Sequence, residues 1–336
     1  MLYINILTKD PKINNFLHQL DEGRFNKIAR FFENSEDDYI WDMVIVYEGI
    51  VSKKKIKVKK GGLIFISGEP PMSSVYPKKY LLQFDMILSS HKKIKHNKSI
   101  ISQQALNWHF GYDFVNKIYK YNYEDLKNLP IPKKGKGISI ITSSKKMMPG
   151  HNKRMKLVKV LRQNFGNYID FYGKDTNPID DKALAILPYK FHICIENSFI
   201  DDYWTEKLAD PILGYSIPIY IGCTNIKKYF HEDFSYQFKI TEVVEICELI
   251  ENICKNPDLY YYSKIEGLIT ARNKILDYYN IFPTIINLHK KITINDSNYQ
   301  CKILKPSHNF NSYNYLLYTL RAKRFLNRIY LNKLYY

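Results

Sequence analysis

The chain has 336 residues, enough for two domains of ordinary size, each with its own core. Lys and Arg outnumber Asp and Glu by 50 to 33, and the resulting net charge of +17 points to anionic partners: nucleic acid, phosphate-bearing small molecules or an acidic membrane surface. With 45% apolar and 15% aromatic residues, extended disorder is excluded, although the abundance of Lys, Ile, Asn and Tyr also fits a coding bias toward A and T.

The five cysteines, Cys194, Cys223, Cys247, Cys254 and Cys301, show no Cys-x-x-Cys spacing, so neither a zinc site nor a disulfide framework is indicated and a reducing compartment fits best. The opening "MLYINILTKD" lacks the flanks and length of a signal peptide, and no run approaches the ~20 apolar residues of a membrane span. The expectation is a soluble or membrane-peripheral protein.

In chain order, residues 2–7 read as a strand. The stretch "FLHQLDEGRFNKIARFFE" places Phe16, Leu17, Leu20, Phe25, Ile28, Phe31 and Phe32 at helical spacing. "DMVIVYEG", "GLIFIS" and "FDMILSS" are short apolar runs bounded by Gly, Pro and Ser, the pattern of strands covered on both faces. A Rossmann-like domain is expected over 1–129. "LPIPKKGKG" concentrates Pro, Gly and Lys, which places a linker at 130–137. Strand, helix "HNKRMKLVKVLRQNF", strand "YIDFYG", strand "FHICIE", a helix from Thr205 and strand "IPIYIG" then repeat the β/α alternation of an open α/β domain over 138–300. Helical patterning covers 240–291. Residues 301–336 form a C-terminal basic segment whose last part, from Tyr313, carries five basic residues and no acid, with Leu and aromatics three and four apart. Such a segment can lie on an anionic membrane or pack on its own domain.

One stretch concentrates chemistry: "YKFHICIENSFIDDYWTEKLADPILGYSIPIYIG", residues 189–222. A strand, a turn and a helix N-terminus is where α/β folds bind phosphate, because free N–H groups and the helix dipole face the anion. Thr205 is a candidate N-cap, and Lys207 in the first turn opposes the dipole unless an anion is bound there. Glu206 can accept bonds from sugar hydroxyls while Lys207 meets a phosphate. Taken alone, an adjacent Glu–Lys pair is more often an ordinary surface ion pair.

The order of residues decides between these readings. Tyr189-Lys190-Phe191, Cys194, Glu196-Asn197, Tyr203, Thr205-Glu206-Lys207 and Ile217-Pro218-Ile219-Tyr220 with Gly222 resemble the donor motif of the α-1,3-fucosyltransferases, glycosyltransferase family ten. The resemblance implies a GT-B architecture, two Rossmann-like domains facing across a cleft. It also implies that Tyr203, Glu206 and Lys207 contact a GDP-sugar, with Glu196 and Asn197 shaping the same pocket. Arg154 matches a family arginine that binds the diphosphate, a role suited to the guanidinium's fixed fork of donors. Glu69, in a Gly-Glu-Pro-Pro turn after an apolar strand, resembles the family's general base. The departures are Pro211 and Gly214, which imply a short or kinked helix, and Trp204, which stands where a smaller apolar residue is common.

The implied chemistry is a single inverting displacement of GDP by an acceptor hydroxyl, with L-fucose as the sugar; the alternative within the same fold is another GDP-linked 6-deoxyhexose or another nucleotide sugar. The acceptor is an oligosaccharide or glycolipid at the cell surface, such as a lipopolysaccharide chain. No cofactor is required on this reading, although a divalent cation can stimulate turnover. No Asp-x-Asp metal motif flanks the site, and Asp180-Asp181 and Asp201-Asp202 read as loop carboxylates. The protein would work in the cytoplasm, either free or peripheral to the inner face of the membrane. The competing class is a nucleic-acid-binding protein, suggested by "KKKIKVKK" and "KKIKHNK" but lacking any recognition motif.

Overall fold

A computed structural model describes residues 1–10, 15–71, 73–94, 96–105, 107–142, 149–174, 176–231 and 233–310. The basic segment from Tyr313 onward lies outside them.

The chain divides into two compact units: residues 1–11, 26–101 and 289–336 in the first, 12–25 and 102–288 in the second. The first is built on a six-stranded sheet in the order Ala29–Glu33, Leu2–Thr8, Met43–Tyr47, Leu63–Ser67, Met86–Ser89, Ser99–Ile101. Every neighbouring pair runs parallel, with Ile4 opposite Phe31 on one side and Met43 on the other. Parallel strands need covered faces, and the central strands Met43–Tyr47 and Leu63–Ser67 are buried at every position.

The helical spacing read over 16–33 resolves differently. Only the short turns Leu17–Gln19 and Glu22–Phe25 are helical, and Ala29–Glu33 is the edge strand beside Leu2–Thr8. Phe31 is 8% exposed while Phe32 stacks on Tyr3, so the adjacent aromatics serve the two faces of a strand. The lysine run is also a strand, Lys54–Lys60, with Ile56 and Val58 buried at alternate positions and the returning strand Asn295–Leu304 paired antiparallel to it. Its Lys54, Lys57 and Lys59 are ion-paired to Glu36, Asp38 and Asp42, which removes much of the bare positive patch that a nucleic-acid surface would need.

The second unit holds five parallel strands in the order Ile169–Tyr172, Lys136–Ile141, Tyr189–Ile195, Ile217–Ile221, Tyr236–Phe238. Ile138 sits between Ile169 and Phe191 in register. Both units are Rossmann-like, the pair of α/β units that the GT-B class requires. The division falls at residue 101 rather than within 130–137. Residues 102–129 join the second core because Trp108, Phe110, Tyr123 and Leu126 pack with Ile138, Leu157 and Leu213. Even the Pro/Lys stretch is tied down: Lys134 is 9% exposed and donates to the carbonyls of Ile186 and Gly214 and to Ser216 Oγ. Among the described residues, no helix is long and apolar enough to cross a membrane.

Candidate active site

In an open α/β sheet, ligands bind beyond the carboxyl ends of the strands where the strand order reverses. In the second unit that point lies between Lys136–Ile141 and Tyr189–Ile195, the first and third strands in sequence to enter the sheet. The helix Pro149–Phe165 that follows the first carries Arg154, and Glu196-Asn197 directly follow the second. Arg154 is 5% exposed and its Nη1 donates to Asn197 Oδ1 at 2.6 Å, so the guanidinium is aimed across the switch point. Burial draws its pKa down, with the Glu196 carboxylate opposing.

Helix Glu206–Leu213 begins at the same place. Thr205 is its N-cap, with Oγ1 accepting from the Lys207 N–H at 3.2 Å. Glu196 is fully buried and accepts from the Thr205 N–H at 2.8 Å and from the Thr205 hydroxyl at 2.9 and 3.0 Å, which locks the strand end to the helix start. Gly222 on the next strand makes this possible: a Cβ there would meet Glu196 Cγ at 2.5 Å and the Tyr220 hydroxyl at 2.4 Å.

Lys207 Nζ lies 2.9 Å from Glu206 Oε1 and 3.9 Å from Glu196 Oε2. Burial disfavours its charge, but the two carboxylates outweigh that and hold its pKa above the usual lysine range. Burial likewise opposes ionisation of Glu206, yet Lys207 and Lys182 overcome it and keep the carboxylate well below its usual range. Glu196 behaves differently. Its burial dominates and pushes it up to about 7 against Lys207. The folded chain therefore keeps the Glu196 proton to higher pH than the unfolded chain, so stability should fall as pH rises from the ordinary carboxylate range toward 7. Glu196→Gln is expected to flatten that part of a melting-temperature profile, and an unchanged slope would assign it to other groups.

Three further residues complete the charge network, and sequence reading passed over them. Lys182 Nζ is 2.9 Å from Asp210 Oδ2 and 3.9 Å from Glu206 Oε1, so it joins two acids one helical turn apart. Asp210, 1% exposed, also accepts the backbone N–H groups of His109 at 2.9 Å and Phe110 at 3.1 Å. Burial, with Lys182 adding to it, lowers the His109 pKa to about 3, so a neutral imidazole faces Glu206. The signal available in sequence was the acid pair at i and i+4 of the helix. Asp210→Ala leaves Lys182 and two backbone donors short of a partner, and should cost about 3 kcal/mol; a denaturation midpoint equal to the parent's would contradict this.

The departures from the family pattern have structural places. The helix is short, eight residues with Pro211 inside it and Gly214 as its C-cap. Trp204 is 4% exposed and packs edge-on to Phe230, Tyr229 and Tyr279, so its bulk goes into the core. Tyr203 is likewise 4% exposed. Asp202 is held by Lys228 at 2.6 Å and Tyr229 at 2.5 Å, and Asp181 caps the turn at Lys182–Ala185, so both carboxylates have structural partners. Among the described residues, no three His, Cys, Asp or Glu side chains gather as a metal site.

Glu69 belongs to the first unit, in the turn after strand Leu63–Ser67. Its carbonyl accepts from His91 Nε2 at 3.0 Å and from Ser67 Oγ at 3.4 Å, which fixes the turn from behind and leaves the side chain partly buried.

A doubly wound α/β unit whose switch point gathers an arginine, a lysine and a capped helix start has the chemistry to suit phosphorylated, hydroxyl-rich ligands. The comparisons make this specific. Residues 131–264 match the family described as glycosyltransferase family 10 (fucosyltransferase) C-term, and over this segment the chain is homologous to that family. A putative fucosyltransferase R654 of Acanthamoeba polyphaga mimivirus is 38% identical over 73 residues, 21% of this chain and 12% of that protein. The alpha-(1,3)-fucosyltransferase FucT of Helicobacter pylori is 31% identical over 124 residues, 36% of this chain and 26% of that protein. The chain thus spans about a quarter or less of the length of these relatives. The crystal structure of an alpha1,3-fucosyltransferase with GDP aligns with a TM-score of 0.47 at 15% identity, covering 83% of this chain and 92% of that one.

Proposed function

We propose that the chain is an inverting glycosyltransferase that moves L-fucose, or a related 6-deoxyhexose, from its GDP donor to a hydroxyl of a cell-surface glycan in α-1,3 linkage. The observation that carries this is the convergence of Arg154, Asn197, Lys207 and the capped helix start at the switch point, inside the segment homologous to family ten. Glu69 takes the proton from the acceptor hydroxyl. The oxygen's electron pair forms the bond to the anomeric carbon as the bond from that carbon to GDP breaks, and GDP leaves with the pair of the broken bond, its charge met by Arg154, Lys207 and the helix dipole. Glu206, kept ionised by its two lysines, accepts hydrogen bonds from the donor sugar. Tyr203 and Glu196 hold the pocket's shape. Incubation with GDP-fucose and a glycan array tests this: the expected product is a fucoside whose anomeric configuration is opposite to the donor's, and retention of configuration would exclude the single displacement.

The basic segment supports a second part of the proposal, that the enzyme works in the cytoplasm at the inner face of a membrane, close to a lipid-linked acceptor. Removing residues 313–336 should release the protein from vesicles containing anionic lipid. Unchanged partitioning would refute this.

A further inference from the structure

The first unit has a switch point of its own, between strands Leu2–Thr8 and Met43–Tyr47. Lys9 and Glu48 stand at the carboxyl ends of these two strands, and Lys9 Nζ lies 3.1 Å from Glu48 Oε2. The glutamate side chain is only 12% exposed although it lies just past the end of its strand. Its backbone is left-handed, φ +58, and Gly49 follows at φ +120, so the chain accepts strain to turn the carboxylate in at this point.

These two residues open onto a cavity of about 360 Å³, lined also by Gly49, Ser74, Tyr76 and His308. The Tyr76 ring packs edge-on to Phe65 at 4.8 Å and stacks on Tyr80 at 5.9 Å, which fixes an aromatic wall beside the charges. A carboxylate acceptor, an ammonium donor, a hydroxyl and a rigid aromatic face suit a pyranose, with polar edges and an apolar face. Glu69 stands at the end of the next strand in the sheet, near enough to Glu48 that the two carboxylates repel, and burial pushes the Glu48 pKa up.

We infer that this cavity is a subsite for a sugar residue of the acceptor, with Glu48 and Lys9 bonding its hydroxyls. The inference rests on the transferase reading above, and assigns to Lys9 and Glu48 the placing of the acceptor beside Glu69.

The test uses the full chain saturated with GDP and a panel of methyl glycosides (β-galactoside, β-N-acetylglucosaminide, β-glucoside, α-mannoside) followed by saturation-transfer NMR. The parent should bind at least one of them. Glu48→Gln and Lys9→Met should each weaken that binding at least tenfold while GDP titrates with the parent's affinity and the thermal unfolding profile stays that of the parent, which reports that both variants are folded. Glycoside binding unchanged in both variants, or no glycoside bound by a parent that binds GDP, would overturn the subsite and leave the donor reading standing. A parent that does not bind GDP would remove the donor reading and the subsite with it.

Discussion

Lys207→Ala is expected to weaken GDP binding by about 100-fold or more. The ammonium sits between the carboxylates of Glu196 and Glu206, 3.9 and 2.9 Å away. Its removal does more than delete a phosphate contact, since the buried Glu196 and the half-buried Glu206 would then face an incoming diphosphate without the ammonium between them. Lys207→Arg keeps the charge but not the compact geometry, and should recover part of the affinity. Calorimetric titration of both variants checks this; an alanine variant within a few fold of the parent would remove Lys207 from the donor site.

Glu69→Gln is expected to lower the rate of sugar transfer by about 10² to 10⁴-fold while leaving GDP affinity unchanged. The amide has nearly the same shape, so the turn held by His91 and Ser67 through the Glu69 carbonyl should persist. What is lost is the capacity to accept a proton. Transfer at near the parent rate would mean that another group is the base, and the neighbouring Glu48 would be the next to replace. A parallel loss of GDP affinity would show that the substitution had disturbed more than the base.

The candidate site was legible because its elements are local. Strand, acid–amide pair, capped helix and following strand lie within 34 consecutive residues, and the local conflict of a lysine in a helix's first turn marks a ligand before any tertiary fact is known. Lys182 was not legible, since its partners Glu206 and Asp210 come to it across a strand and a loop. Lys9 and Glu48 became visible only once the order of strands located the switch point of the first sheet. The strand Ala29–Glu33 was misread because adjacent aromatics satisfy helical and extended spacing alike, and the register with Leu2–Thr8 decides. The boundary moved for a related reason. A Pro- and Lys-rich stretch marks a loop, but which core claims the residues before it depends on where Trp108 and Phe110 pack.

The central claim is that Arg154, Asn197, Lys207 and the helix start form a site for a guanosine diphosphate sugar. Calorimetric titration of the purified chain with GDP, UDP and GDP-fucose, without metal and at two salt concentrations, tests it most directly. Saturable binding of GDP and GDP-fucose is expected, clearly tighter than that of UDP and only modestly weakened by salt because Arg154 is buried and Lys207 half-buried. Equal binding of GDP and UDP that disappears at the higher salt, or no binding at all, would contradict it.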